Sequence, residues 1–311
     1  MTAFSRRRFL AIAAAAAAAT PAGAADPAPL YQWRGVALGA DAAITLAHPQ
    51  AESIVARARD EIARLERIFS LHHPESALVR LNRAGALDNP PFELLECLGL
   101  CGAVHAATGG RFDPTIQPLW ALYAEHYAKG GGPSGPNRDA LSEARARTGW
   151  NGVRMDAASI RLRTGMALSL NGVAQGYIAD RVAALLRADG LENVLVNTGE
   201  HHALGGQPQG GAWPITLDDG RALHRDAVML ENAALASSAP HGITFDQDQR
   251  ASHILDPRTG RPAPAGWRLI SVVAPRAGLA DALSTAFCLM DRPAIDAALA
   301  EFPRARLAHL G

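Results

Sequence analysis

Apolar residues at helical spacing come in bursts along this chain, and groups of short strand-like runs separate the bursts. Ile54, Ala58, Ile62, Leu65 and Phe69 mark one face of a helix over residues 50–69. A second helix is predicted over Phe92–Ala107, stopped by Gly109-Gly110, and a short one over 138–147. Residues 173–188 make another, with Ile178, Val182, Leu185 and Leu186 on its apolar face, and 279–290 a further one before a final helix and strand. Strand-like runs occupy 30–47, 151–170, 191–198, several stretches of 201–250, and 269–274. A doubly wound sheet requires a helix after every strand, and that rhythm is absent. The order therefore predicts an α+β fold.

The 311 residues carry 30 Lys+Arg against 30 Asp+Glu, a balance that excludes a protein built to coat nucleic acid or an anionic membrane. The zero hides an asymmetry. Ser5-Arg6-Arg7-Arg8-Phe9-Leu10 opens an Ala-rich apolar run that ends in Thr20-Pro21-Ala22-Gly23-Ala24-Ala25. A basic start, a short apolar stretch and an A-x-A-like end are the parts of a secretory signal, and the arginine pair is that of the twin-arginine route. The run is too short to span a bilayer, which takes about 20 residues. Residues 1–25 are thus expected to be a twin-arginine signal peptide and 26–311 a periplasmic domain without stable membrane insertion. Those three arginines are the only charged residues of the segment, so the mature domain keeps 27 basic against 30 acidic side chains.

Three cysteines make no disulfide framework, and Cys97, Cys101 and Cys288 lie in apolar helical contexts that favour buried thiols. The turn-rich stretch 129–136 has no G-K-[ST] ending and is read as a surface connection, not a phosphate loop. His72-His73 and His201-His202 have no third ligand at metal spacing and are expected to be surface or wall residues.

Four segments combine glycine with polar groups in ways a core does not need. Gly109-Gly110-Arg111-Phe112-Asp113-Pro114-Thr115 reads as a helix stop followed by an Asp cap. In Asn171-Gly172-Val173-Ala174-Gln175-Gly176-Tyr177 a glycine turn feeds a helix N-terminus, where free N–H groups favour a phosphate. His253-Ile254-Leu255-Asp256-Pro257 offers a histidine able to move a proton near neutral pH. Asp281 and Thr285, four apart on one helix face, are hard oxygen donors of the kind Mg2+ takes beside phosphate oxygens; an Asp cap with Thr bonded back to its helix is the structural alternative.

In this number and order the segments resemble the ApbE family, the FAD:protein FMN transferases. Phe69-Ser70-Leu71-His72-His73-Pro74, Val196-Asn197-Thr198-Gly199 and Ala280-Asp281-Ala282-Leu283-Ser284-Thr285 add to the match, which runs from Gly35 to about Met290. The resemblance implies an α+β unit of two closely packed subdomains. It implies a transferase that links FMN, taken from FAD, to a Thr or Ser hydroxyl of a partner protein and releases AMP. Mg2+ would be held by Asp281, Thr285 and a backbone carbonyl of the Gly172 turn, and His253 would be the general base. The FAD would be lined by Leu38, His72, Arg111, Phe112, Asp113, Ser169, Gln175 and Ile254. Ser169 and Gln175 stand where the family often has Asp and Lys, His72 where it has an aromatic, and Glu200 where it has a second Gly. The Asn-Gly-x-Ala-Gln-Gly-Tyr form and the export signal look like the NosX branch, whose acceptor is the membrane flavoprotein NosR of nitrous-oxide respiration. An FAD pyrophosphatase and a non-catalytic flavin carrier are the alternative readings. The chain has no acceptor segment of the Asp-x-x-[Ser/Thr]-Gly-Ala-[Ser/Thr] type, so it is expected to hold flavin only non-covalently.

Overall fold

Leu38 and Gly39 both take positive φ, 46° and 77°, the backbone a two-residue hairpin turn requires, and they join β1 (Leu30–Ala37) to β2 (Ala40–Ala47). The computed structural model describes residues 28–219, 227–264 and 266–311; the segment read as an export signal lies outside them. After the hairpin come α1 (Ala51–Phe69), α2 (Ala77–Ala84), β3 (Ala86–Asp88), α3 (Phe92–Ala107), α4 (Gln117–Ala128) and α5 (Arg138–Ala146). Next are β4 (Val153–Met155), β5 (Ser159–Leu162), α6 (Ala174–Ala188), β6 (Val194–Asn197), β7 (His201–Leu204), β8 (Trp213–Thr216) and β9 (Ala227–Leu230). The chain ends with β10 (Ala234–Ser238), β11 (Ile270–Ala274), α7 (Ala277–Phe287), α8 (Arg292–Ala300) and β12 (Arg306–Leu310).

Seven strands form one sheet in the order β1-β2-β6-β7-β10-β11-β12, and every neighbouring pair is antiparallel. The order is that of an α+β fold. Both faces of its centre are covered, which explains the continuous apolar runs of β6 and β11. Val194, Val196, Ile270 and Val272 face the main core with α1, α3, α6 and α7. Leu195 and Val273 face a second cluster, closed by Trp213, Ile215 and Leu230 of the β8–β9 hairpin. A three-stranded sheet, β3-β5-β4, stands apart, and α4 and α5 close a third cluster around Leu119, Tyr123 and Leu255.

The predicted helices over 50–69, 92–107 and 173–188 are present to within one residue. The one expected over 279–290 begins at Ala277, because Asp180 on α6 accepts from the Ala277 and Gly278 N–H groups (2.6 and 3.0 Å) and caps it from outside. Strands expected to reach 250 stop at Ser238. Two helices, α2 and α4, arise where no element was expected. Asn82 on α2 donates to the Leu168 carbonyl (2.8 Å) and accepts from the Leu168 N–H (2.7 Å), which pins the chain just ahead of the Gly172 turn.

Candidate active site

Helices α6 and α7 meet at two glycines. A Cβ on Gly176 would run into the Ala277 carbonyl and stand 2.7 Å from the Gly278 nitrogen, and one on Gly278 would stand 3.2 Å from the Tyr177 nitrogen. This contact brings the N-terminus of α6 to the flank of α7. Asp281, 4% exposed, accepts from the Gly176 N–H at 3.3 Å. It is the second turn of α7, so the expected alternative of an Asp cap does not hold; the carboxylate serves the neighbouring helix.

One turn on, Thr285 faces the Gly172 turn so closely that a Cβ on Gly172 would be 2.9 Å from its Oγ1. Only glycine leaves that space. Asp281, Thr285 and the 172 backbone, all proposed from the sequence to hold an ion, are therefore brought together. Among the described residues no three His, Cys, Asp or Glu side chains gather as a metal cluster. A set of one carboxylate, one hydroxyl and backbone oxygen nevertheless fits Mg2+, which fills its sphere with water and phosphate oxygens.

Burial dominates the electrostatics at this place. Burial pushes the Asp281 carboxyl up, against the Gly176 N–H that favours its charge, and the Asp180 carboxylate adds to the rise. Burial likewise pushes up Glu200, and the charge of Asp281 raises it further. The Cys97 thiol is raised by its hydrogen bond to Cys101, by burial, and also by Asp281. All three cysteines are buried free thiols.

His253 reaches the site on the loop that leaves β10. Ser238 at the end of that strand bonds Ser284 Oγ at 2.8 Å and lies 3.4 Å from Thr285 Oγ1. Two residues later the Pro240 carbonyl accepts from Ser252 Oγ, which holds the returning chain. The Ile243 carbonyl accepts from His253 Nδ1 at 2.8 Å. A carbonyl only accepts, so that nitrogen carries the proton and Nε2 keeps a lone pair. Burial lowers the His253 pKa, opposed by the carbonyls of Ile243 and Pro240 and helped by His241. The direction favours the neutral ring, the form a base requires.

The residues expected around FAD fall into three groups. Leu38 donates its N–H to Glu66 near the end of α1 (2.7 Å), and the exposed His72 sits on the loop after α1, its N–H bonded to Ser70 Oγ. That end of α1 meets α6 through Phe69 and Tyr177, whose rings are 5.2 Å apart. Ser169 donates its N–H to the Pro114 carbonyl (2.7 Å), joining the 111–115 turn to the approach of Gly172. Gln175 lies at the start of α6 against Gly199, and its carbonyl accepts from Thr198 Oγ1 (2.8 Å).

Asp113 is fully used by the fold. Its Oδ1 accepts from the N–H and hydroxyl of Thr115 (2.9 and 2.6 Å), and its Oδ2 from the Trp150 N–H (3.0 Å). Phe112 and Ile254 are buried and pack in the main core. Arg111 has a buried Nε with no protein partner among the described residues. His202 is not a surface residue: it is buried and its Nδ1 bonds Asp180 at 2.7 Å, the same carboxylate that caps α7. Nothing in its local sequence signals this, because Asp180 is on another element.

A model of the ApbE family matches residues 38–308. The chain belongs to the ApbE family. It is 31% identical over 269 residues to a FAD:protein FMN transferase of Treponema pallidum, covering 76% of this chain and 71% of that one. To one of Klebsiella pneumoniae it is 27% identical, over 88% and 81% of the two chains. Among solved structures, the apo form of the flavinyl transferase ApbE of Pseudomonas stutzeri superposes with a TM-score of 0.75 at 25% identity, covering 88% of each chain. An ApbE protein of Thermotoga maritima gives 0.79 at 27% identity, over 90% of this chain and 93% of that one. In this ApbE chain Ser169 donates its N–H to Pro114 and its Oγ accepts from the Asn171 N–H at 3.5 Å, and the polar end of Gln175 rests on Gly199.

Proposed function

We propose that this chain is an FAD:protein FMN transferase that uses Mg2+ and releases AMP. The observation that carries the reading is the convergence of Asp281, Thr285 and the Gly172 turn, with His253 carried on the loop that begins beside Thr285. The acceptor is a Thr or Ser hydroxyl of a partner flavoprotein. Its oxygen attacks the FMN phosphorus of FAD, the bond from that phosphorus to the bridging oxygen breaks, and AMP leaves with the bridging oxygen. His253 Nε2 takes the hydroxyl proton, and Nδ1 stays anchored on the Ile243 carbonyl. Mg2+ held by Asp281, Thr285 and the 172 backbone would neutralise charge on the pyrophosphate. The Ala174 and Gly176 N–H groups at the start of α6 are bonded to Leu170 and Asp281, so that helix end would favour the same anion through its dipole.

The twin-arginine motif and the Asn171-to-Tyr177 form support a periplasmic protein whose acceptor is a NosR-like membrane flavoprotein. No helix of the described residues is long and apolar enough to cross a membrane.

The test incubates the protein with FAD, Mg2+ and a domain bearing the acceptor Thr, and follows covalent FMN by mass and AMP by chromatography. Equimolar adduct and AMP are expected. Free FMN in place of adduct identifies FAD hydrolysis, and flavin delivery unaffected by Asp281→Ala identifies a carrier; either outcome overturns the proposal.

A further inference from the structure

The strand that positions Thr285's neighbour also holds a carboxylate that the expected ion-binding set does not contain. Glu200, 9% exposed, follows the Gly199 turn between β6 and β7. Its Oε2 accepts from the Ser237 N–H at 3.1 Å, one residue before the Ser238 that touches Ser284 and Thr285. Among the described residues its Oε1 has no hydrogen-bond partner and no Lys, Arg or His faces the carboxylate as an ion pair. Gln175, at the start of α6, packs on the adjacent Gly199. The carboxylate is thus tied through Ser237 and Ser238 to α7 beside Thr285, and through Gly199 and Gln175 to the start of α6, whose Gly176 N–H bonds Asp281.

We propose that Glu200 is a second carboxylate of the cation site, so that the ion bound beside Asp281 and Thr285 also sees Glu200. The inference rests on the reading of this site as a Mg2+ site for FAD. Two largely buried carboxylates that feel each other's charge, with no cationic side chain paired to either, are costly, since each like charge opposes the other and low exposure weakens the screening by water. A divalent cation removes that cost. The Glu200 side chain has one free oxygen, enough for a single inner contact or a hydrogen bond to a water on the ion.

The experiment titrates Mn2+ into the whole protein, with and without FAD, and reads free Mn2+ by electron paramagnetic resonance. The thermal midpoint is recorded in parallel in EDTA and in Mg2+. The proteins are wild type, Glu200→Gln, Glu200→Asp and Asp281→Asn. For Glu200→Gln the expected result is at least about tenfold weaker Mn2+ binding, a smaller Mg2+-induced rise in midpoint, and a midpoint in EDTA no lower than wild type. Glu200→Asp should fall between the two. A Glu200→Gln protein that binds Mn2+ within twofold of wild type while Asp281→Asn loses it would overturn the inference, as would a wild type that binds none. A lower EDTA midpoint with unchanged Mn2+ affinity would mark Glu200 as merely structural and also overturns it. The transfer reading is separable: Glu200-dependent Mn2+ binding without any FMN adduct leaves the cation site standing and removes the transferase. Adduct formation with Mn2+ affinity indifferent to Glu200 does the reverse.

Discussion

His253 shows how a single backbone carbonyl prepares a side chain for chemistry. With Nδ1 tied to the Ile243 carbonyl, Nε2 is the only nitrogen able to take a proton, and burial makes the protonated ring less stable than in water. The sign follows directly. A depressed pKa means that the neutral, competent base persists below the ordinary histidine value of 6.5, and that protonation, which also destabilises the fold, sets in only at lower pH. The acid limb of kcat/KM for adduct formation should therefore lie below pH 6.5. His253→Ala should lose about 100-fold to 10,000-fold in kcat, abolish that limb, and leave FAD affinity, read by flavin fluorescence, within about twofold. An acid limb above pH 7, or one that survives in the variant, would show that another group takes the proton. His253 was legible as a candidate because H-x-x-D-P is local. Its tautomer was not, because the carbonyl that selects it is ten residues away on a loop with no periodic pattern.

At the scale of elements, the site is a consequence of how α6 and α7 touch. Their capping is reciprocal: Asp180 of α6 satisfies the first N–H groups of α7, and Asp281 of α7 satisfies Gly176 near the start of α6. Both depend on backbone contact at Gly176. Gly176→Ala adds one methyl against the Ala277 carbonyl and the Gly278 nitrogen, backbone that cannot swing aside. The helices must part, at a cost of about 1–3 kcal/mol, and Asp281 moves with them, so FAD and Mg2+ binding should fall together with the thermal midpoint. Gly99, on the exposed side of α3 with nothing within 4 Å of a built Cβ, is the control. There the same substitution should stabilise by about 0.5–1 kcal/mol, and calorimetry of the two variants should show opposite signs. Long helices such as α1 were legible because a 3.6-residue apolar period repeats over five turns. The eight residues of α2 give that period too little length, although Ser76 caps its start by accepting from the Val79 N–H and Gly85 ends it in the left-handed region; α4 begins at Gln117-Pro118 directly after a single short turn. The juxtaposition of Asp281 and Thr285 was legible by their i, i+4 spacing, whereas Glu200 comes near them only through strand order and has no sequence signature.

The whole molecule sets how an anionic dinucleotide arrives. Once the three arginines among residues 1–25 are set aside, acidic side chains outnumber basic ones by 30 to 27. No long-range positive field steers FAD inward. On the proposed function, the groups left to hold the pyrophosphate would act at contact range: the N-terminal end of α6, the Arg111 guanidinium, whose Nε has no protein partner among the described residues, and a cation at Asp281. Local dipoles and a tightly held ion are screened far less by salt than a diffuse field, since the Debye length at 0.1 M is about 10 Å. The association rate of FAD in Mg2+, followed by stopped-flow quenching of flavin fluorescence, should therefore change by less than about twofold between 0.02 and 0.2 M NaCl. Chelating the metal should act mainly on the dissociation rate. A tenfold fall in association rate over that salt range would instead reveal a positive surface that steers the ligand, and would move the origin of affinity from the α6–α7 junction to the exterior.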